Sequence, residues 1–112
     1  MDYKIIVIIN EQHTLTTEQE AQILALWSGY ETLKVPAAGW TFDEMNAQAK
    51  AITASYPHAV VFVSPVPYLL ARLARRERMP IFVFHNDRRE KVERDGKISY
   101  RIPADGWELV EA

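Results

Sequence analysis

The chain contains no cysteine, which excludes disulfides and thiolate metal sites. Glycine is scarce, with four in 112 residues. None falls in the loop after the first apolar run, so neither a Walker loop nor a dinucleotide fingerprint is present. No apolar run approaches the roughly 18 residues of a membrane span. The opening Met1, Asp2, Tyr3, Lys4 lacks the n-region and cleavage site of a secretory signal. These absences set the expectation of a cytoplasmic protein with no membrane partner. His13, His58 and His85 show no i, i+3 or i, i+4 pairing, and no Gly-x-Ser-x-Gly turn occurs. A metal site, a serine-hydrolase site and a bound cofactor are therefore not expected.

What is present suits one domain with one core, residues 1–112: 48% of residues are hydrophobic and 25% charged, an ordinary soluble balance at this length. The net charge of −2 is unevenly spread. Residues 72–101 hold ten Lys and Arg against five Asp and Glu, leaving the remainder at −7. The whole is not a duplex-DNA binder by charge. A basic segment on an acidic protein suits a small anionic ligand or an acidic partner surface. Plain solvation of a helix end and a hairpin accounts for the same arginines equally well.

Residues 58–85 organise the chain: a buried strand, a helix and a second buried strand. A crossover of this length joins parallel neighbours. Residues 4–10 are a β-branched run, the pattern of a strand covered on both faces. Capping boxes at Thr16/Gln19 and Thr17/Glu20 open a helix with Ile23, Leu26, Trp27 and Tyr30 on one stripe, stopped by Ser28 and Gly29. Residues 32–35 form a short strand. Thr41 and Glu44 cap a second helix, with Trp40 and Met45 as a hydrophobic staple and Phe42, Met45, Ala49, Ile52 and Tyr56 on its buried face. Residues 59–63 form the third strand. Ser64 is expected to cap the third helix, with Leu69, Leu70 and Leu73 inward and Arg72, Arg75 and Arg76 outward. Residues 81–84 form the fourth strand. Asp95 and Gly96 between alternating segments mark a hairpin, and residues 107–110 suit a last strand. The reading is a three-layer α/β, Rossmann-like domain. Residues 1–85 form a βαβαβαβ core with parallel strand order 2-1-3-4, and residues 86–112 add a C-terminal hairpin and final strand.

Ligands bind such sheets at the carboxyl ends of the strands, at the switch point between the first and third. Three clusters lie there. Asn10, His13, Thr14, Thr16 and Thr17 follow the first strand, where hydroxyls and helix amides favour an anion, although capping alone explains the threonines. Ser64, Val66 and Tyr68 follow the third. Tyr68 is placed either to stack on a nucleobase or to pack beneath the first-strand loop. His85, Asn86, Arg88 and Arg89 follow the fourth, where histidine suits a general base and an arginine pair a phosphate. A strand-end turn with solvated arginines accounts for this last cluster equally well.

An apolar strand ending in Asn10 and followed by His13, Leu15, Thr16 and Gln19 resembles the opening of small CRISPR-associated proteins with a single Rossmann-like (CARF-type) domain. The length, the valine-rich third strand and the hairpin after residues 84–90 fit the same pattern. The resemblance implies a homodimer that binds a cyclic oligoadenylate across its two-fold axis. It implies a ring nuclease that switches off type III CRISPR signalling by metal-independent attack of a ribose 2′-hydroxyl on its neighbouring phosphate. Asn10 and His13 would then contact the scissile ribose-phosphate, with His85 a further acid/base candidate. Thr16, Thr17, Ser64 and Val66 would hold phosphates, Arg88 or Arg89 would neutralise charge, and Tyr68 would stack on adenine. Two other readings remain open: a non-catalytic module that binds or sequesters the messenger, and an unrelated Rossmann-like enzyme acting on another nucleotide.

Overall fold

The computed structural model describes residues 4–103 and 105–112. The elements run β1 (Ile5–Asn10), α1 (Thr17–Leu26), β2 (Glu31–Val35), α2 (Phe42–Ala54), β3 (Ala59–Phe62), α3 (Pro67–Arg75), β4 (Ile81–His85), β5 (Glu90–Arg94), β6 (Lys97–Arg101) and β7 (Glu108–Glu111). Five strands form a mainly parallel sheet in the order β2-β1-β3-β4-β7, and β5 and β6 form a separate antiparallel pair. The parallel order expected from the crossovers is the one found. β1 carries β2 on one side and β3 on the other, with Ile8 opposite both Leu33 and Phe62. The switch point therefore lies between β1 and β3.

Strand alternation sorts the core into two clusters. Ile6, Ile8, Val60 and Phe62 meet Ala49 and Ile52 of α2 and Leu69 and Leu73 of α3. Ile5, Val7, Ala59 and Val61 meet Ile23 of α1. Each fully buried aliphatic side chain contributes about 1.5–3 kcal/mol, so β1, β3 and the helix residues facing them dominate the stability.

Four local expectations need correction. α1 ends at Leu26, before Ser28 and Gly29. Trp27 turns extended, and its ring meets Phe82 edge-on at 5.1 Å. Of the expected stripe, Ile23 is buried, Trp27 and Tyr30 pack against its cluster from outside the helix, and Leu26 is exposed. In α2, Ala49 and Ile52 are buried but Phe42 and Tyr56 face solvent, and Tyr56 lies beyond the helix at φ 49°. Ser64 caps no helix: α3 has Val66 at its N-cap and Pro67 at its first position. Arg72 is half-buried, and its guanidinium donates to Asn46 Oδ1 instead of pointing away from the fold.

The hairpin follows its turn chemistry. Asp95 and Gly96 both have positive φ, 51° and 75°, the backbone that lets a two-residue turn match strand twist. The hairpin is nevertheless exposed nearly throughout, with Ile98 and Tyr100 facing solvent. The Cα radius of gyration is 15.4 Å, against about 13 Å for a compact chain of this length. A projecting arm explains the difference.

β7 returns antiparallel beside β4, pairing Val83 with Val110 and Phe84 with Leu109. It is fastened by α1. Gln22 donates from Nε2 to the Trp107 carbonyl at 2.6 Å and accepts the Leu109 N–H at 2.9 Å, while Glu18 accepts the Trp107 N–H at 2.6 Å. One amide side chain thus serves two strand groups 85 and 87 residues away. Gln22→Ala is expected to cost about 1–3 kcal/mol, because it strands both groups. Hydrogen exchange should show faster exchange of the Leu109 amide and an unchanged β1. Unchanged Leu109 protection would contradict this fastening role.

Candidate functional site

The carboxyl edge of the sheet is built from three turns. The first is organised by Asn10. Its side chain accepts the Gln12 N–H at 2.9 Å and its carbonyl accepts the His13 N–H at 2.9 Å. Asn10 is joined to the second turn because its own N–H donates to Ser64 Oγ at 2.8 Å. Ser64 is buried, so this bond locks the ends of β1 and β3 together at the switch point. His13 and Thr14 are exposed on the turn above it.

The two helix N-termini at this edge differ. At α1, Thr16 accepts the Gln19 N–H and the Gln19 side chain accepts the Thr16 N–H, while Glu18 and Glu20 occupy the first turn. The capping box occupies the Thr16 and Gln19 amides, and the dipole already faces the carboxylates of Glu18 and Glu20, which disfavours an added anion there. Thr16 and Thr17 line a cavity of about 310 Å³ with Leu15, Glu20, Ala21 and Leu24, a largely apolar and acidic wall. Thr14 lines another, about 240 Å³, with Lys34, Glu20 and Tyr30. Burial first, then the hydrogen bond and charge of Glu20, hold the Tyr30 phenol above its ordinary value. At α3 there is no side-chain cap and no acidic residue in the first turn. The amides of Tyr68 and Leu69 at its second and third positions have no partner within the helix.

Tyr68 itself leaves this crevice. Its hydroxyl donates to Asn46 Oδ1 at 2.8 Å and its ring lies 5.0 Å from that of Phe42. It packs on α2, neither beneath the first-strand loop nor over the switch point.

The third turn begins at His85, whose Nε2 lies 2.5 Å from Asp87 Oδ1. That contact sets a carboxylate beside one ring nitrogen, although the two side chains are 57% and 86% exposed and the pair is a surface one. Asn86 is only 3% exposed. It donates from Nδ2 to the Asp105 carbonyl and accepts the Arg88 N–H at Oδ1. Arg88 pairs with the Asp105 carboxylate at 3.2 Å, and Arg89 donates to the carbonyls of Asn86 and Arg88. Both arginines and Asn86 are thus engaged in building the turn. β3 separates β1 from β4, so the His13 and His85 turns stand about 10 Å apart by strand spacing. No hydrogen bond joins them among the described residues.

The structure therefore brings together Asn10, Ser64 and the α3 terminus at Val66, and separately His85, Asn86, Arg88 and Arg89. Thr14, Thr16 and Thr17 face the α1 side, and Tyr68 faces α2. Sequence reading missed the Ser64 bridge and the pairing of Arg88 with Asp105, both long-range. It also missed Phe42 and Asn46, which share an i, i+4 face of α2 that the stripe reading had sorted differently. Among the described residues no group of three or more His, Asp or Glu side chains is placed to hold a metal, and no helix is long and apolar enough to cross a membrane. Comparison with protein-family models, curated proteins and solved structures gives no match to this chain.

Proposed function

We propose that the chain is a single three-layer, Rossmann-like domain that binds a cyclic oligoadenylate at the carboxyl edge of its sheet and opens the ring. The observation that carries this reading is the α3 N-terminus. It is uncapped, free of acidic residues and set at the switch point beside Asn10 and Ser64, where an anionic ligand gains amide donors and a favourable dipole. In the reaction, a ribose 2′-oxygen attacks the adjacent phosphorus and the bond to the 5′-oxygen breaks. The 2′-hydroxyl proton passes to a base and a proton returns to the 5′-oxygen, leaving a 2′,3′-cyclic phosphate and a 5′-hydroxyl. His13 and His85 are the base and acid candidates. The contact between His85 and Asp87 supports His85 in such a role, and Asn10 positions the His13 turn. Because the two histidines stand on separate turns, a homodimer with the ring across its two-fold axis lets each copy contribute part of the site. The domain acts in type III CRISPR signalling on this reading.

One observation favours binding without cleavage. Arg88 and Arg89 are held by Asp105 and by main-chain carbonyls, so neither is free to stabilise charge building on phosphorus. The test is incubation with cyclic tri-, tetra- and hexa-adenylate in EDTA, with products followed by chromatography. Ring opening to a cyclic phosphate supports cleavage, and His13→Ala or His85→Ala should then slow it at least about tenfold, roughly 1.4 kcal/mol of barrier. Retention of intact ring supports the sequestering module. Absence of binding to any ring overturns both.

A further inference from the structure

The outer groove between α2 and α3 has donors without acceptors. Both helices run from the carboxyl to the amino edge of the sheet, so they lie side by side in one direction. Phe42 meets Tyr68 at one end, and one turn on Asn46 meets both Tyr68 and Arg72. Lys50 of α2 continues the same i, i+4 row and is exposed. Tyr68, Ala71, Arg72, Arg75 and Arg76 line a cavity of about 170 Å³.

The hydrogen-bond inventory of this groove is one-sided. Asn46 Oδ1 alone accepts from both Tyr68 and Arg72, and the buried Nε–H of Arg72 has no acceptor. Arg72, Arg75, Arg76 and Arg78 form no ion pair with any described carboxylate, in contrast to Arg88 and Arg101. At the head of the groove Phe42 is 60% exposed, a large aromatic ring held in place by Tyr68 yet open on its other side. The exposed cations of Arg75 and Arg76 call for an anion, and the open ring calls for a flat apolar group beside it. The helix C-terminal dipole accounts for basic residues at the end of α3 but not for the exposed aromatic platform at its start.

We propose that this groove binds a short single-stranded oligonucleotide, with a base stacked on Phe42 and phosphates on Arg72, Arg75 and Arg76. Stacking on an aromatic face tolerates any base, and a basic track follows the backbone. The span from Tyr68 to Arg76 is about 12 Å along the helix, room for a few nucleotides. The aromatic end of the groove adjoins the α3 N-terminus, but its cations lie toward the opposite edge of the sheet, so charge variants separate the two sites.

The probe is a fluorescein-labelled, mixed-sequence single-stranded RNA of about six nucleotides, followed by anisotropy across a salt series. Three phosphate contacts predict a slope of log K against log salt of about −2. Arg75→Gln with Arg76→Gln should bring the slope to about −1 or shallower and weaken binding. Phe42→Ala should weaken it by about tenfold with the slope unchanged. All three side chains are exposed, and circular dichroism checks that the fold survives. The paired arginine variant should retain cyclic oligoadenylate binding, whereas His13→Ala should leave RNA binding intact, so the two sites fail separately. No binding at low salt, or binding indifferent to both sets of variants, overturns the proposal. Equal affinity for an oligoglutamate peptide would assign the groove to an acidic protein segment and overturn the nucleic-acid reading.

Discussion

Leu73→Ala is expected to lower the unfolding free energy by about 2–5 kcal/mol and the melting temperature by about 10 °C or more. Leu73 is fully buried in the cluster that contains Ile6, Val60, Leu69 and Ile81. Three of those neighbours belong to the sheet, whose backbone hydrogen bonds hold them at fixed spacing. The wall opposite the deleted side chain therefore has little freedom to move inward and fill the space. A domain of this size has about 5–15 kcal/mol in total, so the variant loses a large share of it. Leu24 of α1 is 45% exposed and makes the control: Leu24→Ala should change stability by less than about 0.5 kcal/mol. Denaturant unfolding of both variants measures the contrast. A cost below about 1 kcal/mol for Leu73→Ala would mean that α3 is not packed on the sheet as described.

The parts of the fold that were legible in the sequence are those set by neighbours in the chain. The continuous β-branched run through Ile5, Ile6, Val7, Ile8 and Ile9 has no polar position to offer solvent, and both its faces are indeed covered. Thr16 with Gln19 and Thr41 with Glu44 exchange the reciprocal bonds of a capping box because three residues separate them. Asp95 and Gly96 adopt the positive φ that their types tolerate. Periodicity misled where it ran beyond a helix end. The α1 pattern continues to Tyr30, but the chain turns extended at Trp27, whose ring gains a partner in Phe82 on β4. The same holds for Tyr56 after α2.

The candidate site was legible by position only. Asn10, Ser64 and His85 stand at strand ends because the strands end there. What each side chain does depends on residues far along the chain: Ser64 accepts from Asn10 across 54 positions, and Arg88 meets Asp105 across 17. No local pattern encodes such pairs. The consequence is a division of roles. Ser64 is engaged with the backbone of Asn10 and Thr16 with its own helix, while the amides of α3 are left as donors. Arg75 and Arg76 at the end of α3 are exposed and make no ion pair with a described carboxylate, whereas Arg88 and Arg89 after β4 are engaged in building their turn.

Asn86→Ala is expected to cost about 2–4 kcal/mol, with no ligand present, because it leaves two protein groups without their partner. Asn86 stands where β4 gives way to the hairpin. From this buried position its Nδ2 donates to the Asp105 carbonyl at 2.8 Å and its Oδ1 accepts the Arg88 N–H at 2.9 Å. It thereby ties the strand that enters the hairpin to the segment that returns from it 19 residues later. Gly106 lies against the same tie at φ +87°, where an added Cβ would come within 2.7 Å of Arg88 Cδ, so glycine suits this position of the turn. Asn86→Asp keeps the acceptor for Arg88 but sets a buried carboxylate oxygen against the Asp105 carbonyl, and should destabilise at least as much as Asn86→Ala. A ligand-contact role makes the opposite forecast: Asn86→Ala would melt with the parent and lose only ring binding. Thermal melts of the three proteins, read beside exchange of the Arg88 amide, separate the two. A melting temperature unchanged in Asn86→Ala would remove Asn86 from the framework and return it to the ligand. A fall of several degrees with faster Arg88 exchange places it in the framework. In that case Asn86 shapes the site through the turn that presents His85 and Asp87, and any loss of ring binding in the variant should track the loss of stability.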